Sequence, residues 1–276
     1  MGNVSIGTSG WVYPHWKGIF YPQNLPQKEW LRYYSQSFDT VEVNATFYHQ
    51  MKATTFENWQ KTVGRNFTFT IKASRFITHI KRLKDCRGEV ERFFETAGGL
   101  DTPGVSPRRR RGPSTPGVGN VVLWQLPPGM KIDPDRLKSF LALIHPRGVP
   151  QAQHHPGGVF RGFRQAFEFR HQSWFSPNIY KILKENNTAL VIADSPYWPK
   201  VEEVTSDFVY LRFHGGTSLY ASNYSDRELR EWAEKIKKWQ EEGLDVYGYF
   251  NNDAMGYAIK NAKSLIELVS RYTTSC

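Results

Sequence analysis

Eight extended apolar runs, spaced by segments with helical character, constrain this chain more than any other feature. The runs are VSIGTSGW at 4–11, TVEVNATFY at 40–48, FTFTIKA at 67–73 and VVLWQLPP at 121–128. AFEFRHQSW at 166–174, ALVIADS at 189–195, FVYLRFHG at 208–215 and VYGYFNND at 246–253 complete the set. Between most of them lie helix-like segments such as PQKEWLRYYSQSF, TFENWQKTV, EVERFFETA and DRLKSFLALI. SPNIYKILKEN places Ser176 as an N-cap with Pro177 at the first helical position. SDRELREWAEKIKKWQEEG has Ser225 and Glu228 at capping-box spacing, with Gly243 as a stop. The gap after the sixth run, PYWPKVEEVTSD, is too short and too Pro-broken for a full helix. Strands alternating with helices predict a parallel sheet, and eight of them is the count of a (β/α)8 TIM barrel. The expectation is therefore a single α/β domain over 1–276. An open doubly wound sheet is the alternative, but GTSGW lacks the spacing of a dinucleotide-binding glycine loop.

Two stretches break the rhythm. Residues 98–119 and 145–165 hold ten of the 22 Gly and seven of the 16 Pro, and each has a surplus of three positive charges. Such text cannot bury a core, so both read as insert-like, disordered loops. They also account for most of the formal net charge of +10, leaving +4 for the remainder. The RRRR run at 108–111 is read first as solvated loop and second as a phosphate grip.

If the strands close into a barrel, alternation sends one set of side chains outward and the other inward. Val41, Val43, Phe69, Ile71, Phe167, Phe169, Leu211 and Phe213 make an apolar outer set. Glu42, Asn44, Lys72, Glu168, Arg170, Arg212 and His214 fall inward. Gln125 and Asp194 join them if Leu123 and Ile192 face in, and Asn251 or Asn252 closes the ring. All sit late in their strands, at the carboxyl-terminal rim where barrels of this kind carry their sites. Three acids (Glu42, Glu168, Asp194) then face three bases (Lys72, Arg170, Arg212), with His214 free to titrate. A salt-bridge lattice without chemistry is one reading. A site is the favoured one, because buried ion pairs are poor stabilisers. Aromatics near the strand ends, Trp11 and Trp198 among them, offer surfaces on which a sugar or base could stack.

The motifs GTSGW.Y..W.G.FYP, VEVNATFY, QLPP, FEFRH.SW, YLRFHG and YFNND…A…NA resemble the YecE-like family, known as domain of unknown function 72. The match spans the chain apart from the two Pro/Gly/Arg-rich stretches. The resemblance implies a TIM barrel and brings no activity with it.

Three functions fit the inward set. The first is a metal-assisted phosphoester hydrolase, with Glu168, Asp194, His214 and Glu42 as ligands to a divalent metal and Arg170, Arg212 and Lys72 holding an anion. No paired-ligand motif supports the metal, so no cofactor is required by the sequence. The second is a two-carboxylate enzyme acting on carbohydrate, which the surrounding cations oppose by lowering the acid's pKa. The third is a non-catalytic module for phospho-ligands or nucleic acid, gripping phosphate with Arg, Lys, Asn251 and Asn252. Common to the first and third is a small anionic ligand or sugar phosphate held at the rim. Catalytic candidates are Glu168, Asp194 and His214. Ligand-binding candidates are Glu42, Asn44, Lys72, Arg170, Arg212, Asn251, Asn252 and Trp11. The absence of a membrane-length apolar run, of a leader pattern and of a cysteine framework predicts a cytoplasmic protein without membrane partners.

Overall fold

A computed structural model describes residues 1–64, 66–100, 120–145, 163–216 and 218–273. The eight expected strands form at β1 Val4–Thr8, β2 Thr40–Val43, β3 Thr68–Lys72, β4 Val121–Gln125, β5 Arg164–Glu168, β6 Ala189–Asp194, β7 Phe208–Phe213 and β8 Asp245–Phe250. They lie in the order β1-β8-β7-β6-β5-β4-β3-β2, and every pairing is parallel. One bridge between Ser9 and Glu42 joins the two ends of the sheet, so the circle closes into a barrel.

The helices are α1 Trp30–Tyr34, α2 Ala45–Tyr48, α3 Ala53–Val63, α4 Arg87–Ala97, α5 Pro134–Ile144, α6 Pro177–Glu185, α7 Asp226–Glu241 and α8 Tyr257–Thr273. The segment between β6 and β7 has no helix, as its prolines dictate. At the start of α7 the capping box forms: Glu228 N–H donates to Ser225 Oγ, and Ser225 N–H donates to the Glu228 carboxylate. Ser176 differs. It precedes α6 with Pro177 in place, yet its buried hydroxyl makes no capping bond. The second run also ends early. After Val43 the chain leaves the extended conformation, and Ala45–Tyr48 forms α2.

Side-chain alternation divides two cores. The outer one packs Val41, Phe69, Trp124, Phe167, Ile192 and Leu211 against the helices. The inner one holds Val121, Leu123, Ala166, Ala189, Val191, Phe208, Tyr210, Tyr247 and Tyr249. The Tyr249 hydroxyl lies within hydrogen-bond distance of the hydroxyls of Thr40 (2.7 Å) and Thr70 (2.8 Å), which ties β8 across the interior to β2 and β3. The interior is filled, not hollow, with charged groups at its top layer and at its floor.

Most of the two Pro/Gly/Arg-rich stretches, 101–119 and 146–162, lies outside the described residues. The end of the second is ordinary barrel. Phe163 is buried, Arg164 and Gln165 open β5, and Arg164 Nη1 meets Asp245 Oδ2 at 2.7 Å. An arginine surrounded by glycine reads as loop, but its place in the alternation carries it to the barrel floor, where Asp245 neutralises it. Among the described residues, no helix is long and apolar enough to cross a membrane.

Candidate functional site

At the carboxyl-terminal end of the barrel, β2, β5 and β7 bring Glu42, Glu168 and Arg212 together. Arg212 is 1% exposed and both carboxylates are 0% exposed. Its Nε donates to Glu42 Oε2 at 2.9 Å and its Nη2 to Glu42 Oε1 at 2.6 Å, a bidentate clasp. Its Nη1 donates to Glu168 Oε2 at 2.5 Å. Glu42 takes two more donors, the hydroxyls of Ser9 and of Tyr210, the latter at 2.8 Å. Arg170 reaches back over the same layer: Nε donates to Glu168 Oε1 at 2.7 Å and Nη2 to Gln125 Oε1 at 3.0 Å. The indole of Trp198 covers its guanidinium at 3.7 Å.

Burial alone would raise the Glu168 carboxyl. The Arg212 and Arg170 charges overcome that and hold it well below the usual carboxylate range. Burial alone would lower Arg212, and Glu168 and Glu42 instead drive it further up. In this half of the ring the Glu168–Arg212 pair is thereby held charged.

The other half is not. Lys72, at the end of β3, is 9% exposed and forms no ion pair among the described residues. Its Nζ stands 4.4 Å from the centre of the Phe47 ring. Burial, and then the Arg212 charge, lower its pKa to about 7, against the pull of Glu168 and Glu42. His79 packs edge-on against the same Phe47 ring at 4.9 Å. Its pKa falls to about 4 through burial and the charges of Lys72 and Arg170. His214 is lowered well below its usual value by burial and by Arg212. Asn251 Nδ2 donates to His214 Nδ1 at 3.2 Å, while His214 Nε2 is buried, unpartnered and 4.0 Å from Glu168 Oε1. Asn44 Nδ2 donates to Ser9 Oγ at 2.9 Å, leaving its buried Oδ1 without a donor.

Glu42, Asn44, Lys72, Glu168, Arg170, Arg212, His214 and Asn251 thus gather as the alternation predicts. Three of the other candidates do not. Asp194 faces away from the ring: Leu123 points into the barrel but Ile192 packs outside, so Asp194 follows Ile192 outward and Ala193 takes the inward place beside Arg212. Its carboxylate accepts from Lys200 at 3.0 Å and bonds the Tyr224 side chain. Asn252 is also outward; its Nδ2 donates to Ser222 O at 2.8 Å and Asn261 Oδ1 at 2.9 Å, tying the segment before α7 to α8. Trp11 is buried edge-on against Trp59, with ring centres 5.1 Å apart, and belongs to the outer core. Ser9 and Tyr210 escaped attention as polar partners, although Tyr210 stands two residues before Arg212 and shares its face. Phe47 and His79 lie beyond the strands, where alternation says nothing.

The placement of Asp194 has a checkable consequence. Asp194→Asn is expected to change stability by about 1 kcal/mol or less, because its partner Lys200 is 43% exposed and the amide oxygen can still accept from Tyr224. It should also leave ligand responses at the ring unchanged; loss of a response on that substitution would place Asp194 in the site.

The donors do not suit a metal. Both Glu168 oxygens and both Glu42 oxygens already accept from guanidinium groups, and Asp194 is elsewhere. Among the described residues, no group of three or more His, Cys, Asp and Glu could hold a metal ion. The divalent-metal arrangement expected from Glu168, Asp194, His214 and Glu42 is therefore not assembled. Nor is Glu168 suited to act as a general acid, since two arginines hold it ionised.

Comparison with known proteins agrees with the geometry. A family model described as "Protein of unknown function DUF72" matches residues 5–275. The chain is 27% identical over 296 residues to UPF0759 protein YunF of Bacillus subtilis, with 96% of this chain and 94% of that protein covered. Among solved structures, a DUF72 family protein from Thermotoga maritima superposes with a TM-score of 0.75 at 25% identity, covering 97% of this chain and 99% of that one. A DUF72 family protein from Enterococcus faecalis superposes with a TM-score of 0.72 at 19% identity, covering 97% and 95% of the two chains.

Proposed function

We propose, from the premise that this chain belongs to the DUF72 family of unknown function, that the barrel mouth binds a small phosphate-bearing molecule of the sugar-phosphate class. One observation carries this reading. With Asp194 outside, the ring holds three cations (Lys72, Arg170, Arg212) against two carboxylates (Glu42, Glu168), and the cation left over is Lys72. An uncompensated buried charge is costly, and an anion entering the mouth would relieve it. Arg170 supports the same reading, because its Nη1 has no partner among the described residues while Nε and Nη2 are fixed. The buried Asn44 Oδ1 and His214 Nε2 each have no hydrogen-bond partner among the described residues. A hydroxyl can serve either. Arg212, by contrast, is spent on the two carboxylates and acts as scaffold beneath the ligand.

Thermal unfolding against inorganic phosphate, sugar phosphates and the same sugars without phosphate tests this. A phosphate ester at 100 times its dissociation constant adds about 2.7 kcal/mol. The uncharged sugars should add far less. With sulfate, whose charge is constant over the range, the response should weaken as pH rises through about 7, because Lys72 loses its proton there. Equal responses to charged and uncharged sugars would remove the anion from the reading.

A further inference from the structure

We infer that the cavity between α3, α4 and the segment after β3 is a binding site for a small carboxylic acid that carries one aromatic ring. The site lies outside the charged ring of the mouth and does not depend on the anion site proposed there. The cavity has a volume of about 180 Å³. That is room for a single ring, since an engineered protein cavity of about 150 Å³ takes up benzene. Its apolar lining is Met51, Phe56, Phe76, Ile77 and Phe93. Phe56 and Ile77 are 1% exposed and Phe76 is 48% exposed, so the cavity runs from the outer core to the surface. An apolar body with a few polar groups at its edge is the usual form of a small-molecule site.

The local sequence builds this shape. After β3 the chain makes a wide π-helical turn at Phe76–Ile80, closed by Lys81 N–H donating to Phe76 O at 2.8 Å. That turn buries Ile77 and leaves Phe76 outside. Left-handed backbone at Arg82, Leu83 and Asp85 then carries the chain back into α4. On α4, Glu89, Arg92, Phe93 and Thr96 share one helical face and line the cavity together. Thr46 also lines it, and its hydroxyl bonds the carbonyls of Val43 at 3.0 Å and Lys72 at 2.7 Å, so the ends of β2 and β3 hold it in place.

The charges at the edge select the ligand's polar end. Lys81 Nζ stands 2.9 Å from Glu89 Oε1 and donates to Asp85 O, so Glu89 and Lys81 neutralise each other. Arg92 Nη2 is 3.6 Å from the same Glu89 oxygen, beyond hydrogen-bond reach, and its side chain is 60% exposed. One positive charge is therefore left over, and it sits on a guanidinium fork. A carboxylate matches that fork with two oxygens for two donors and one charge for one. A phosphate ester would bring a second negative charge beside Glu89 with no cation to meet it.

The probe is para-fluorophenylacetate, followed by fluorine NMR with the full chain at pH 7. Saturable binding to one site is expected. The neutral para-fluorophenylacetamide, and Arg92→Ala with the acid, should each bind at least about ten-fold more weakly, the usual loss when a charged hydrogen-bond partner goes. Thr96→Phe, which places a ring in the cavity from α4, should abolish binding. Arg92 is exposed, so Arg92→Ala keeps the fold and remains readable even if Thr96→Phe does not fold. Binding that never saturates would overturn the inference. So would wild-type affinity for the acid in Arg92→Ala or in folded Thr96→Phe, since the probe would then sit elsewhere.

Discussion

Arg212→Met is expected to destabilise the protein by about 3–5 kcal/mol, the usual cost of breaking a buried ion pair by removing one partner. The arginine makes three hydrogen bonds to two carboxylates that have no access to water, and all of these donors go with it. Glu42 would keep the hydroxyls of Ser9 and Tyr210, and Glu168 would keep Arg170, so the loss falls short of unfolding the barrel outright. Adding Glu42→Gln and Glu168→Gln to Arg212→Met should restore part of the stability, because the stranded charges disappear. Urea unfolding of the three chains reads this directly. A loss below about 1 kcal/mol would show that the lattice is not what holds the mouth together.

The pH dependence should follow. Glu168 has a folded pKa depressed below its unfolded value of about 4.3. Its stabilisation is thus complete above that value and is lost as pH falls below it. His214 adds to acid sensitivity: its folded pKa is also depressed, so the unfolded chain takes up a proton below about 6.5 that the folded one refuses. Arg212→Met should flatten the loss below pH 4 and also shrink the histidine contribution, because the Arg212 charge is one cause of the lowered His214 pKa.

The second large effect has the opposite sign. Lys72→Met is expected to stabilise the protein at pH 7, by about 1–3 kcal/mol, while abolishing its response to phosphate esters. Methionine fills the same space beside Phe47 without a charge to desolvate. Because the folded pKa of Lys72 is about 7 and the unfolded value about 10.4, the unfolded chain binds the extra proton between those limits. Wild-type stability should accordingly rise with pH across that window, by at most about 1.4 kcal/mol per pH unit. The variant should lack that rise. A substitution that strengthens the fold and removes binding is the signature of a residue kept for function. Lys72→Met weakening the fold would instead mark the lysine as part of the lattice.

Much of this is legible in the sequence. The eight strands follow from apolar runs of the right length, and Glu42, Glu168, Arg170, Arg212 and His214 converge because alternation has a period of two. The failures are of parity and of range. In β6 the runs ALVIADS and its neighbours are apolar on both faces, so nothing in the text decides whether Ile192 or Ala193 turns inward, and Asp194 inherits the ambiguity. Asn251 and Asn252 present the same choice with identical side chains, and only packing against α8 resolves it. The charge balance depended on that one parity. Three acids against three bases describe a closed lattice, whereas two against three leave Lys72 as a charge in search of a partner. Phe47, His79 and Trp198 lie past the strand ends, where no period exists and only the folded chain reveals what they touch.

The state of Lys72 is the point on which the site stands. Its pKa can be measured by NMR on the protein labelled with nitrogen-15 lysine, without ligand and then with inorganic phosphate added. A titration near 7 that moves upward with phosphate is the expected result, since a bound anion favours the protonated amine. A titration near 10 in both conditions would contradict it: Lys72 would then be an ordinary solvated cation, and the ring beneath it a lattice of ion pairs.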